Sequence, residues 1–217
     1  MDPLSVPLKE VDRVEVLTLM DNFVDVLLED TEVVTRPPKA VGEEIPTDTL
    51  LAEHGLCLLV KVQRGTEKHT ILFDTGYNKM GVLHNMDKLA VDPEEMEAIV
   101  LSHAHMDHTG SLNAIMEKIS DPIPLVVHPD AFQYPRFSEQ KDGSKKRFPR
   151  TLVRSDLDQR NVKILESRTP TPILDESILV TGEVERTTEF EKGMPNALLE
   201  RDGRLEPDPI KDDQALV

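Results

Sequence analysis

The stretch AIVLSHAHMDHTG, residues 98–110, constrains this chain more than any other. An apolar run of strand length passes directly into six positions that hold three histidines and one aspartate. With seven histidines in 217 residues, three specified positions would all be His about 3 times in 100,000, so chance is a poor source for the cluster. The apolar run needs burial. Behind the cluster, Leu112, Ile115, Met116 and Ile119 have the spacing of one helix face, which predicts a helix over Thr109–Ser120. The histidines are therefore expected on a loop between a buried strand and a helix, where ligands from several elements converge.

The flanking sequence predicts a mixed α/β (α+β) chain. VEVLTLM at 14–20 alternates as a strand. GLCLLVKVQ and HTILFD, joined by RGTEK, read as a hairpin, and IPLVVH, NVKILE and SILVTG read as further strands. Met80, Leu83, Met86 and Leu89 recur three apart, as on a core-facing helix. Asp92, Pro93 and Glu95 form a helix-start pattern with Asp92 as N-cap. TRPPKAVGEEIPTDT at 35–49 reads as a surface loop. The polar stretch 133–160, with Lys141, Lys145, Lys146, Arg147, Arg150 and Arg154, reads as an excursion from the core. Residues 1–217 read as a single domain, without internal repeat, P-loop or G-x-G-x-x-G.

Charge narrows the partners. A net charge of −16 opposes broad contact with nucleic acid or anionic membrane, and aromatics at 4% with no Trp leave no evident base-stacking platform. A small-molecule substrate is expected instead, and the basic residues from Lys141 to Arg154 would suit an anionic one. Cys57, the single cysteine, lies in LCLLVKV and reads as a buried hydrophobe. The N-terminus lacks the charge and apolar pattern of a secretory signal, and no segment reaches 18 uninterrupted apolar residues, so a soluble cytoplasmic protein is expected. The sequence leaves the oligomeric state open.

In an extended stretch, side chains two apart point the same way, so His103 and His105 can grip one ion while Asp107 and His108 turn toward a second. Imidazole suits zinc or iron, and a carboxylate adds a harder donor. Two ions about 3.5–4 Å apart lower the pKa of a shared water and polarise a substrate oxygen. Asp107 is the candidate catalytic residue, orienting the hydroxide or passing its proton to a leaving group. Asp74 can fix the tautomer of a ligating histidine, or serve only as a turn former before Thr75 and Gly76. His54 and His128 read as hydrogen-bonded histidines with a functional alternative; His69 and His84 read as surface or packing residues.

SHAHMDHTG, preceded by ILFDTG at 71–76, resembles the first two signatures of the metallo-β-lactamase superfamily. AEHGLCLLV, ILFDTG, VVHPDAF, TGEVERTTEF and DPIKDDQAL together resemble the branch of metal-dependent hydrolases that includes the dihydropterin ribofuranosyl-aminobenzene phosphate synthases. The resemblance implies an αββα sandwich with a binuclear site at one edge. It implies His103, His105, Asp107 and His108 as ligands and Asp74 as the residue that fixes their loop. The cofactors would be divalent metal ions, zinc foremost, with manganese, iron or magnesium as alternatives. The implied activity is hydrolysis by a metal-bound hydroxide, or a synthase acting on a pterin or ribose-phosphate substrate.

The chain departs from that pattern in its second half. The superfamily adds further ligands there, and the branch has Gly-Cys-Ser-His after the segment matching DDQALV, whereas no histidine follows His128 here. Val217 falls within what reads as a strand, so the sandwich is expected to lack C-terminal strands, and were the protein to end there the site would be expected to bind one ion weakly. Asp212 and Asp213 are expected to be solvated. A non-catalytic relative with a vestigial metal loop is the competing reading, and the net charge disfavours a nuclease.

Overall fold

A computed structural model describes residues 6–217 except 161 and 192; the first five residues of the N-terminal segment and the first of the NVKILE run lie outside the described residues. The chain opens with β1 (Arg13–Met20), β2 (Cys57–Arg64) and β3 (Glu67–Phe73), paired antiparallel, the last two as the predicted hairpin. Helix α1 (Gly81–Lys88) leads through a 3₁₀ turn, with the Asp92 side chain accepting from Glu94 N, to β4 (Ala98–Val100), parallel to β3. Two short helices, α2 (Met106–Thr109) and α3 (Leu112–Met116), precede β5 (Leu125–Val127), parallel to β4. Then come β6 (Arg136–Glu139), β7 (Lys145–Arg147), α4 (Arg154–Gln159) and β8 (Ile164–Glu166), the last parallel to β5. The remaining strands are β9 (Thr171–Ile173), β10 (Ile178–Val180), β11 (Ala197–Arg201) and β12 (Arg204–Pro207).

Among the described residues these strands form a six-stranded sheet, β1-β2-β3-β4-β5-β8, a four-stranded sheet, β12-β11-β6-β7, and the β9–β10 pair. Side-chain alternation explains the layering. Leu59, Leu72, Ile99, Leu125 and Val127 point to one face, against Val82 and Met86 of α1, Leu112 and Ile115 of α3, and Leu157 of α4. Their neighbours Val62, Ile71, Ala98, Val100 and Val126 point to the other, against Ile178 and Val180 of β10. Central strands covered on both faces must be apolar throughout, which is why AIV and LVV read as continuous apolar runs. Each such side chain contributes about 1.5–3 kcal/mol on burial. Beyond β10, Leu216 bridges to Val180, and Leu179 and Val217 exchange both backbone hydrogen bonds. No helix among the described residues is long and apolar enough to cross a membrane.

Three sequence expectations are corrected. On α1 the core face is Val82, Asn85 and Met86, while Met80 is exposed, because i, i+3, i+4 spacing keeps one face where a strict three-residue repeat drifts around the helix. Asn85 is buried with its amide satisfied by Leu19 O, Leu51 O and Leu51 N. The stretch 133–160 is built into the molecule: β6 and β7 belong to the second sheet, and Leu152 and Leu157 enter the main core. Asp212 is fully buried, with Oδ1 2.7 Å from Nη2 of Arg136, itself only 4% exposed; Asp213 pairs with Arg186 nearer the surface.

Arg136 also has its Nε 3.3 Å from Asp208 Oδ2, so one buried guanidinium ties the start of β6 to the segment after β12. Removing one partner of a buried pair leaves the other charge uncompensated. Asp212→Ala is expected to lower stability by about 3–5 kcal/mol in urea unfolding, with the exposed Asp142→Ala as the comparison that leaves the transition much closer to wild type.

Candidate metal centre

Strands β3, β4 and β5 run parallel, so their carboxyl ends meet along one edge, the side of an α/β sheet where sites form. The residues just past those ends are Asp74, the Ser102–His105 run and His128. Asp74 adopts φ 62°, a left-handed conformation that Asp tolerates better than most residues, and its side chain is fully buried. Its Oδ1 accepts from Ser102 N at 2.7 Å; its Oδ2 accepts from Ser102 Oγ at 2.7 Å and from His108 Nδ1 at 2.7 Å. One carboxylate thus joins the end of β3 to both ends of the histidine cluster.

The turn after Asp74 braces the same loop through its backbone. Thr75 N donates to His108 O at 2.7 Å, Gly110 N to Gly76 O at 2.8 Å and Ser111 N to Thr75 O at 3.2 Å. Gly110 packs so closely that a Cβ there would overlap the Tyr77 carbonyl. These bonds draw Gly110 and Ser111 out of the helical ladder, so the helix expected over 109–120 is shortened to α3, and a separate helix that was not expected, α2, precedes it. Asp107 and His108 consequently sit on α2, not on the loop.

The structure brings His103, His105, Asp107, His108 and Asp74 together. Ser102 Oγ donates to Asp74, so it accepts from His103 Nδ1 at 3.0 Å, which leaves His103 Nε2 bare. That nitrogen faces His105 Nδ1 at 3.1 Å, while His105 Nε2 is buried without a partner. Asp107 Oδ2 lies 3.5 Å from His108 Nε2 and 3.2 Å from His54 Nε2. Two donors of one tetrahedral zinc, each about 2.0–2.1 Å from it, stand about 3.3 Å apart, so both pairs have a spacing that suits a divalent ion. Among the described residues no three His, Cys, Asp or Glu side chains gather to hold an ion.

Electrostatics separates the histidines. Burial, then the neighbouring His108 and His105, pushes His103 down to about 3. Burial and Arg136 lower His105 as well, so both rings are neutral at neutral pH and His105 Nδ1 donates to His103 Nε2, a hydrogen that an ion between them would displace. Burial also works against charge on His108, but Asp107 and Asp74 outweigh it and raise the ring to about 9. For Asp107 burial favours the neutral acid, yet the hydrogen bond from His108 prevails and holds the carboxyl at about 2.

A wall formed by the second sheet stands beside His105. The Phe148 ring lies 5.1 Å from the His105 ring, and Arg136, Tyr134 and Arg150 complete a small cavity there, with Arg150 stacked over Tyr134. Residues 212–214 run along the histidine loop: Asp212 Oδ2 accepts from Ala104 N at 2.9 Å, Gln214 N donates to Ser102 O and its side chain to Leu101 O at 2.7 Å. His128 is buried; its Nδ1 accepts from Asp130 N and its Nε2 faces Arg168. His69 meets Glu97 and His84 meets Thr49 O, as packing residues do.

A family model described as the metallo-β-lactamase superfamily matches residues 51–196, well over half of the chain. The chain belongs to the metallo-β-lactamase superfamily. A 7,8-dihydropterin-6-methyl-4-(β-D-ribofuranosyl)-aminobenzene-5'-phosphate synthase of Methanocaldococcus jannaschii is 32% identical over 169 residues, covering 76% of this chain and 57% of that protein. The protein MJ0448 of the same organism is 29% identical over 166 residues, covering 76% and 59%. The crystal structure of Tm1679, a metal-dependent hydrolase of the β-lactamase superfamily, superposes with a TM-score of 0.60 at 20% identity, covering 94% of this chain and 60% of that one. The chain spans somewhat more than half the length of each relative.

In this metallo-β-lactamase superfamily chain, three residues that secure the loop, Arg136, Asp212 and Gln214, are not marked as such by the sequence, which reads Asp212 as solvated. For Asp212 and Gln214 the one signal was DDQ inside DPIKDDQAL, and Arg136 had none; nothing local marks an acid 108 residues away as the partner of Ala104 N. Because Asp74 orients both Ser102 and His108, Asp74→Ala is expected to weaken zinc uptake about 10–100-fold in chelator competition, with Asp74→Asn recovering part of the loss.

Proposed function

We propose that this chain carries the ion-binding part of a metal-dependent hydrolase, His103 and His105 holding one divalent ion and Asp107 and His108 a second. The observation that carries this reading is the 3.1 Å approach of His103 Nε2 to His105 Nδ1, two nitrogens on neutral rings in a buried corner. Such an ion, zinc first among the candidates, supplies Lewis acidity toward a substrate oxygen and toward water. The chain's own residues do the rest. Asp74 and Ser102 fix the Nδ1 hydrogens of His103 and His108, so an ion is met at Nε2 of each ring, and His108, charged at neutral pH, gives up its Nε2 hydrogen to bind one. Asp107, ionised at neutral pH, stands at the open side, where it can take a proton from water or pass one to a leaving group. Phe148 shields the His105 side from solvent.

A second reading is a synthase acting on a pterin or ribose-phosphate substrate, and what supports it is the 32% identity to a protein of that name. For either, the substrate is a small molecule, and an anionic one suits Arg150 at the cavity and the exposed β7 residues Lys145, Lys146 and Arg147. Metal titration tests the core of the proposal. Apoprotein titrated with Zn²⁺ against a chromophoric chelator is expected to bind, and His103→Ala and His105→Ala each to bind at least about tenfold more weakly. Equal binding by wild type and both variants would remove the assignment. Incorporation of ¹⁸O from water into product separates hydrolase from synthase once a substrate is found.

A further inference from the structure

We propose that His54 is a positioning residue of this site, its Nε2 edge holding the Asp107 carboxylate from the open side. Four consecutive residues engage the same neighbourhood. Glu53 Oε1 accepts from Tyr77 N at 3.1 Å and Asn78 N at 3.0 Å, anchoring the segment beneath the turn that follows Asp74. Gly55, at φ 130°, presses on Asp107: a Cβ there would overlap the Asp107 carbonyl oxygen. Leu56 N donates to that same oxygen at 3.3 Å. Between them His54 points Nε2 at Asp107 Oδ2, 3.2 Å away, and Nδ1 at Asn22 Oδ1, 3.1 Å away.

The segment therefore grips Asp107 by backbone and side chain together, and only a glycine at 55 lets it come close enough. The His54 side chain is 72% exposed. A neutral imidazole has one N–H, so it donates to Asp107 when the Asn22 amide nitrogen is turned to donate to Nδ1; exposed polar contacts contribute little to folding, and the effect of this one falls on where the carboxylate points. Asp107 Oδ2 is the atom that also faces His108 Nε2, so its placement sets the spacing of the second donor pair. The consequence for ion binding rests on the ligand reading proposed above; the contact itself does not.

Two measurements on full-length His54→Ala and His54→Gln test this. Gln places an amide nitrogen near the position of Nε2, so it restores the contact, and Ala does not. In metal-free protein the ¹³Cγ resonance of Asp107 is expected to move in His54→Ala and to return toward wild type in His54→Gln, with Tm within about 2 °C throughout. In chelator competition with Zn²⁺, His54→Ala is expected to bind about tenfold more weakly and His54→Gln to recover most of that. A Cγ resonance unmoved by Ala, or a Gln variant no different from Ala in both measurements, overturns the proposal. Wild-type protein that takes up no Zn²⁺ overturns the ligand reading, and the metal-free resonance still decides the role of His54.

Discussion

The Asp74 carboxylate is the contact on which the site depends. Its two oxygens accept from Ser102 N, Ser102 Oγ and His108 Nδ1, so the ends of β3 and β4 and the first turn of α2 are fixed by a single buried charge. A buried carboxyl is costly unless it is hydrogen-bonded, and here three donors satisfy its two oxygens. What they orient is the histidine cluster: His103 and His108 each give their Nδ1 hydrogen inward, which turns Nε2 of His103 toward His105 and Nε2 of His108 toward Asp107. Thr75 and Gly76 repeat the connection in the backbone, so the histidine loop is held by the turn at several points.

The second structural commitment is the small sheet of β6, β7, β11 and β12. It reaches the site through Arg136, whose guanidinium sits between Asp208 and Asp212, and through Phe148, whose ring packs on His105. Asp212 serves both structures at once, one oxygen on Arg136 and the other on Ala104 N. Folding of the sheet and placement of the histidine loop are thereby coupled. Arg136 in turn lowers the pKa of His105, adding to burial in keeping that ring neutral.

Several features were legible in the sequence because their causes are local. The alternation in β2 and β3, the continuous apolar character of β4 and β5 and the Asp92 cap all follow from neighbours within a few residues. The density of His103, His105 and His108 is local as well, and ILFDTG marks Asp74. The break between α2 and α3 was not legible, since residues 109–120 have good helical spacing; the Gly76 and Thr75 carbonyls take Gly110 and Ser111 from it. Nor was the burial of Asp212, because a carboxylate in a chain of 41 acidic residues looks solvated until its partner is known.

By itself, then, the sequence determined the strand that delivers the histidines, the density of the cluster and the family to which the chain belongs, all carried by residue type and short spacing. Only the tertiary structure decided that the donors stand in two pairs, that His54 faces Asp107 and that Arg136, Asp212 and Gln214 secure the loop. Those contacts join residues tens to more than a hundred positions apart. Their distances depend on how the parallel strands align and how the second sheet packs, and no short window of sequence encodes that.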